Sequence, residues 1–346
     1  MLNIAVVGCG YWGPNLIRNF NSLSECRLKS VCDTDPERLA HMKMLYPSVI
    51  TASEFEDLVK NPDIDAIVVA APVRYHYEMA KKALKAGKHT FIEKPMAQSS
   101  RECEELVDIA EKHKLVLMVG HTFVYSKPVR KIKEIISSGE LGELQYISAR
   151  RLNLGLFQKD INVAWDLAPH DISTILYVLG KDPVSVNCQG KSHVAKGVED
   201  VTTMTLNFAN GAFGIIQSSW LDPNKVREIV FVGTKKMLVY DDVEPIEKIK
   251  IYDKCVEIPP HYDSFGEFQY SYHYGGMYCP YLKLVEPLKV ECQHFLDCIK
   301  TGAKSESSGL EGLEVVRILE AASASLQDGG GQVAIRYSAI NTAQTA

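Results

Sequence analysis

The chain has 346 residues, 46% of them hydrophobic and 23% charged, with a formal net charge of −5 at pH 7. That length suggests two domains rather than one core, and the charge balance gives no case for a nucleic-acid or membrane-surface partner. No apolar run approaches the roughly 20 residues of a membrane span, and Met1 leads straight into Leu2–Val7 without a charged n-region or cleavage site, so a cytoplasmic location is expected. The nine cysteines never form a CxxC pair and several sit in apolar runs, which reads as reduced core thiols with neither a disulfide framework nor a metal site.

Residues 1–121 alternate short apolar runs (Asn3–Val7, Leu28–Cys32, Asp65–Ala70, His89–Ile92 and Leu115–Val119) with helical segments. Runs apolar on both faces are expected of parallel strands buried under helices, so this half reads as a doubly wound α/β domain. Ser53 with Glu56, and Ser99 with Glu102, have the spacing of capping boxes at helix starts. Gly8-Cys9-Gly10-Tyr11-Trp12-Gly13 follows the first run and opens a helix. Such a loop lets a pyrophosphate approach the backbone and places it at a helix N-terminus, where N–H donors and the dipole meet its charge. Asp33 ends the second run, where a carboxylate would accept from the adenosine ribose. No arginine follows it at once, Arg38 being assigned to the next helix, and NAD is therefore expected over NADP, with NADP still possible.

The pattern changes after His121. One helix is expected over Pro128–Ser138, and long alternating runs then dominate residues 122–346. Val201–Phe208 and Ala212–Trp220 flank Asn210-Gly211, a dipeptide suited to a tight hairpin, and Val226–Val232 pairs with Lys236–Tyr240 across Gly233-Thr234. This half reads as α+β with an open, mainly antiparallel sheet. Met204, Leu206 and Phe208 should face its core, and Thr203, Thr205 and Asn207 the other way. A third capping box, Ser308 with Glu311, opens a helix that runs to about Gln327.

Two segments carry the chemistry. Glu93-Lys94-Pro95 closes the fourth run, at the carboxyl edge where such sheets bind ligands. In Trp165-Asp166-Leu-Ala-Pro-His170, a helix would put Asp166 and His170 on one face, with Pro169 required in its first turn. Oxidising a carbinol requires the hydroxyl proton to leave with the hydride, so a base must touch that oxygen. A histidine titrates near neutrality, and a lysine can stabilise the alkoxide or, when buried, accept the proton. Both Lys94 and His170 stay open as the acceptor.

The glycine fingerprint, Ala70-Ala71-Pro72 with His76, Ala86-Gly87-Lys88-His89, Glu93-Lys94-Pro95 and Asp166 with His170 together resemble the Gfo/Idh/MocA family of oxidoreductases, nearly end to end. The resemblance implies Lys94, Asp166 and His170 as catalytic residues. It implies cofactor contacts from Gly8, Gly10, Tyr11, Trp12, Gly13, Asp33, Ala71, Pro72, His76, Glu93 and Lys94. Substrate contacts would come from Lys94, Asn153, Trp165, Asp166 and His170. It also implies a homodimer or homotetramer formed through the open sheet. Where many members carry glycines before the aspartate, this chain has Asn162-Val-Ala-Trp165. Tyr11-Trp12-Gly13-Pro14 and His121-Thr122-Phe123 are similar to a subgroup that oxidises C3 of nucleotide-activated sugars. Free sugars or inositols are the alternative substrates, and a dinucleotide-sensing regulator the alternative without turnover. Residues 262–281 are dense in tyrosine and read as an interface or lid, while Arg74, Arg150 and Arg151 are candidates for an anionic group of the substrate.

Overall fold

The computed structural model describes residues 1–158, 160–257 and 271–337. The chain divides into two compact units, residues 1–126 with 284–317, and residues 127–283 with 318–346.

The first unit holds a six-stranded parallel sheet in the order β3-β2-β1-β4-β5-β6. Its strands are β1 (Leu2–Val7), β2 (Cys26–Cys32), β3 (Ile50–Ala52), β4 (Ala66–Val69), β5 (His89–Glu93) and β6 (Leu117–Gly120). The helices between them are α1 (Gly13–Ser22), α2 (Pro36–Leu45), α3 (Phe55–Lys60), α4 (His76–Lys85) and α5 (Ser100–His113). The order reverses between β1 and β4, so the loops after those two strands flank the crevice where an open α/β sheet takes its ligand. Ser99 caps α5 as the sequence suggests, its Oγ accepting from Glu102 N–H at 3.3 Å. Ser53 does not cap α3, which starts at Phe55 with no side-chain cap; Glu56 pairs with Lys82 instead. Lys88 is buried and donates to the carbonyls of Asn61 and Ile64 at 2.7 and 2.8 Å, so it fastens the loop before β4.

A late segment completes this unit, which is why a single cut near residue 121 does not describe it. Helix α8 (Pro287–Thr301) lies against α1, where Asn19 Nδ2 donates to Glu286 Oε1 at 3.0 Å. Phe295 of α8 meets Phe20 and Phe91 edge to face, with centroids 6.3 and 5.7 Å apart, and all three rings are fully buried. Ser307 then bonds both polar backbone groups of Val119 on the edge strand β6. The hydrogen bonds among these contacts join residues 188 and 267 apart in sequence, and no local pattern announces them. Helix α9 (Gly309–Gln327) follows, its start held by Ser308 N–H donating to Glu311 Oε2 at 3.0 Å.

The second unit is built on a nine-stranded sheet in the order β14-β13-β12-β11-β7-β10-β9-β8-β15. The strands are β7 (Leu144–Leu154), β8 (Ser185–Lys191), β9 (Val201–Asn207), β10 (Phe213–Ser219), β11 (Leu221–Gly233), β12 (Met237–Asp241), β13 (Ile249–Glu257), β14 (Ser271–Tyr278) and β15 (Val333–Ala334). Every pairing is antiparallel except β7 with β10. Gly211 takes φ +84° in the β9–β10 turn, the conformation its Asn-Gly dipeptide suggests. Helices α6 (Lys127–Ser137) and α7 (Val163–Leu179) belong to this unit, and α7 lies on β7, β9 and β10. Ile172, Ile175 and Val178 of α7 are buried along with Ile147, Met204, Leu206 and Ile216 of those strands. Thr203, Thr205 and Asn207 point away from that core, as alternation requires. Among the described residues no helix is long and apolar enough to cross a membrane.

Truncating Phe295 tests the inclusion of the late segment in the first core. Phe295→Ala should lower stability by about 3–5 kcal/mol and weaken NADH binding through loss of the folded dinucleotide unit. Denaturant titration followed by circular dichroism measures the first effect, and a change under about 1 kcal/mol would place Phe295 outside a tight core.

Candidate active site

Helix α1 opens immediately after β1, and the turn between them is sterically closed to side chains. Gly8 has φ +94°, and a Cβ on it would lie 2.4 Å from the Ala70 carbonyl oxygen. A Cβ on Gly13 would lie 1.7 Å from the Gly8 carbonyl oxygen. A Cβ on Gly10, by contrast, would meet nothing nearer than Arg38 Nη1 at 3.5 Å, so its backbone faces room that a pyrophosphate can use. The cradle therefore fits a dinucleotide.

Asp33, at the end of β2, is buried and braces this loop. Its Oδ2 accepts from Cys9 N–H at 2.6 Å and its Oδ1 from Asp35 N–H at 2.9 Å. Each carboxylate oxygen keeps a second lone pair, which leaves capacity for a ribose hydroxyl. Arg38 belongs to α2, but its side chain returns to the carboxylates, with Nη1 3.7 Å from Asp33 Oδ2 and Nε 3.3 Å from Asp35 Oδ2. A basic group thus stands at the ribose end, paired with two acids.

The loops after β4 and β5 are tied together by His76. It is buried, with Nδ1 2.9 Å from the Pro95 carbonyl and Nε2 2.7 Å from that of Ala71. Burial lowers its pKa, although both carbonyl partners favour the protonated ring. Pro72 accepts from Tyr75 N–H in the same turn at 2.9 Å. Tyr11 is 85% exposed, and Trp12 stands at the N-cap of α1.

Glu93 ends β5, one residue before Lys94, and packs against Gly120, where a Cβ would be 2.9 Å from its Oε1. Burial pushes Glu93 up to about 7, opposed by the Lys94 charge and by hydrogen bonds from Lys94 N–H and Trp12. A second buried acid, Glu291 of α8, is held well above the ordinary carboxyl range by burial and then by Glu93; it accepts from Thr122 Oγ1 at 2.7 Å. Beside Thr122, His121 is pushed down to about 3 by burial, with Lys94 adding to the effect. Glu93 Oε1, Glu291 Oε1 and both ring nitrogens of His121 are buried without a protein hydrogen-bond partner. Neutral forms relieve most of that desolvation. Glu291 was not evident from the sequence. Its one signal is an acid in the apolar stripe Leu288, Cys292 and Phe295 of α8.

In the second unit, α7 carries Asp166 and His170 four residues apart, hence on one face. Asn162, in the segment that departs from the glycine-rich run of many family members, is the N-cap: its Oδ1 accepts from Trp165 N–H at 3.1 Å. The helix consequently starts earlier than Pro169 would dictate, and Pro169 lies in its interior rather than its first turn. Proline there withholds the N–H that would bond the Trp165 carbonyl. Asp166 Oδ2 accepts from Trp220 Nε1 at 3.1 Å, and Trp165 Nε1 donates to Ser323 Oγ at 2.8 Å. Asn153 lies half-buried near the end of β7. The arginine candidates have other partners. Arg151 is buried in a two-pronged pair with Asp171, at 2.8 and 2.9 Å; Arg150 meets Glu228 at 2.6 Å, and Arg74 lies over the Tyr75 ring. Of the tyrosine-dense stretch, residues 262–270 lie outside the described residues, whereas Tyr272, Tyr274 and Tyr278 form the exposed strand β14.

Among the described residues no group of three or more His, Cys, Asp or Glu side chains is arranged to hold a metal ion. Lys94 follows β5 directly, at the carboxyl edge of the first sheet, and Asp166 and His170 share a helix face in the other unit.

A family model described as the NAD-binding Rossmann fold of the GFO_IDH_MocA oxidoreductases matches residues 2–121, and a GFO/IDH/MocA C-terminal domain model matches residues 129–239. The chain is 27% identical over 336 residues to the uncharacterized oxidoreductase YrbE of Bacillus subtilis, covering 94% of each. It is 22% identical to a myo-inositol 2-dehydrogenase of Thermotoga maritima, covering 94% of this chain and 97% of that one. The fold superposes on a UDP-N-acetylglucosamine 3-dehydrogenase, GnnA, of Acidithiobacillus ferrooxidans with TM-score 0.77 at 22% identity, covering 95% and 98% of the two chains.

The buried acids predict a pH signature. Unfolded, a glutamate titrates near 4.5, whereas folded Glu93 does so near 7 and Glu291 higher than its ordinary value. The folded state binds more protons over that interval, so the pair's contribution to stability is full below about 4.5 and falls as pH rises towards and beyond 7. His121 opposes this, because its depressed value makes stability rise with pH up to about 6.5. Differences between variants isolate the acids. Glu291→Gln should gain stability relative to the wild type on going from pH 5 to pH 8, because the wild type alone loses the contribution of a raised buried acid over that range. A constant difference across that range would mean that Glu291 titrates normally.

Proposed function

We propose, for a chain that belongs to the GFO/IDH/MocA family of oxidoreductases and is an NAD-dependent dehydrogenase, that its substrate is a sugar. The carbon oxidised is C3 of a nucleotide-activated sugar, a UDP-N-acetylhexosamine or its uronic acid. The observation that carries the reading is the combination of a glycine cradle and Lys94 at the carboxyl edge of one sheet with Asp166 and His170 on one helix face. Likeness of fold to the UDP-N-acetylglucosamine 3-dehydrogenase supports the sugar class, and the myo-inositol 2-dehydrogenase relative supports free polyols as the second reading.

Bound NAD supplies a hydride acceptor. Gly8–Gly13 and the N-terminus of α1 hold its pyrophosphate, and Asp33 its adenosine ribose. Lys94 donates to the substrate oxygen and stabilises the alkoxide as charge develops there. His170 takes the hydroxyl proton, and Asp166 orients the substrate or the imidazole; if Lys94 is the acceptor instead, His170 becomes the orienting group. Asn153 and Trp165 contact the sugar.

Incubating the protein with NAD and a panel of UDP-linked and free sugars, following NADH absorbance, tests the substrate class. Turnover confined to UDP-linked sugars is expected. Turnover on free sugars or inositols alone would select the second reading, and none with any sugar would favour a sensor. Lys94→Ala and His170→Ala should each lower kcat by about 10²–10⁴ while NADH still binds. Near-full turnover in either variant removes that residue from the chemistry.

The open sheet supports assembly as a homodimer or homotetramer. Its outer face carries Thr203, Thr205 and Ile215, and the rings of Tyr146 and Phe213 stack there at 5.8 Å. On its β9–β10 part, Thr203, Thr205, Asn207, Phe213, Ile215 and Gln217 include no lysine or glutamate, which a solvent face would be expected to carry, while Arg150 pairs with Glu228 on the adjoining strands; a two-fold mate would cover it. Light scattering should give a multiple of 38.6 kDa, reduced by Thr203→Glu with Thr205→Glu. A wild-type particle of monomer mass would refute assembly.

A further inference from the structure

We infer that Trp220 is a positioning residue for Asp166: its indole N–H fixes the carboxylate in one orientation on the first turn of α7. The inference rests on the catalytic reading of Asp166 given above. Trp220 lies between β10 and β11 and is among the largest fully buried side chains of the protein. Its backbone is held on both sides, with its N–H donating to the Asp200 carbonyl at 2.9 Å and its carbonyl accepting from Gly155 N–H at 3.0 Å. The ring has little freedom either. A Cβ on Gly155 would lie 2.6 Å from Trp220 Cδ1, and the Phe157 ring packs against it at 5.4 Å. The single polar atom of this immobilised side chain, Nε1, points at Asp166 Oδ2, 3.1 Å away.

Packing alone does not ask for that arrangement. A phenylalanine or leucine would fill such a place without a polar atom, and a buried N–H is unfavourable unless it is bonded. The partner is a carboxylate, and a hydrogen bond to a charged group is stronger and more directional than one between neutral groups. An aspartate near a helix start can otherwise rotate to bond the free N–H groups of its own first turn. A fixed donor from the sheet holds Asp166 against that alternative, and so sets how its carboxylate stands relative to His170, one helical turn further on. The Arg151–Asp171 pair pins the adjacent stretch of α7 to β7, so the helix itself is fixed while Trp220 fixes the side chain.

The experiment replaces Trp220 by benzothienylalanine, in which sulfur stands for the indole N–H and the shape is kept, with Trp220→Phe as a second variant. In the benzothienylalanine protein kcat should fall about tenfold, the scale of one hydrogen bond to a charged group. KM for NAD should stay at its wild-type value, and the thermal midpoint should fall by no more than the few degrees that one hydrogen bond is worth. The chain has three tryptophans, so indole-¹⁵N labelling gives three N–H resonances, and the one lost in Trp220→Phe should move in Asp166→Ala. Wild-type kcat in the benzothienylalanine protein, or an indole resonance indifferent to Asp166→Ala, would overturn the inference. If Asp166→Ala itself keeps full turnover, the catalytic reading of Asp166 fails and the inference with it. If that variant is impaired but the benzothienylalanine protein is not, only the role of Trp220 is lost.

Discussion

The Ala70 carbonyl approaches Gly8 so closely that no side chain fits between them, and the Gly8 carbonyl does the same to Gly13. This contact joins the carboxyl ends of β1 and β4, the strands at which the sheet order reverses. Because neither glycine carries a Cβ, α1 can start at the strand end with its N–H groups turned towards the crevice, and a pyrophosphate can lie on bare backbone. Asp33 reinforces the same turn from β2 through the Cys9 N–H, and His76 ties the loop after β4 to Pro95. Lys94 takes its place from that frame. The oxidoreductase chemistry depends first on the steric closeness of two strands and only then on the charges placed above them.

The two units handle buried charge in opposite ways. In the first, burial raises Glu93 and Glu291 and lowers His121, and Glu93 raises Glu291 further. In the second, Arg151 and Asp171 keep their charges and satisfy one another through two parallel hydrogen bonds. The rigid pair beneath α7 suits a helix that must hold Asp166 and His170 in fixed register.

Much of this was legible in the sequence because it is written locally. The apolar runs of the first sheet, the glycine fingerprint with Asp33, and the Asn210-Gly211 hairpin each have a signal within a few residues. What escaped depends on distant partners. Nothing near Phe295 shows that it will meet Phe20, and nothing near Arg38 shows that its side chain will turn back to Asp33. Arg151 was a candidate for an anionic group of the substrate because its partner Asp171 is twenty residues away. Ser53 with Glu56 had the spacing of a cap, but Lys82 claimed the acid. Pro169 was placed in a first turn because proline is best tolerated there; Asn162 starts the helix earlier, and tertiary packing holds it through the missing bond.

Hydride transfer from a sugar carbon can be followed atom by atom. A UDP-N-acetylhexosamine carrying deuterium at C3 would be incubated with the protein and NAD, and the NADH formed examined by mass spectrometry and NMR. One deuterium on the nicotinamide ring, with turnover slowed relative to unlabelled sugar, is the expected result. NADH formed without deuterium would contradict oxidation at C3, and no NADH from this or any other sugar would contradict the dehydrogenase reading of the site.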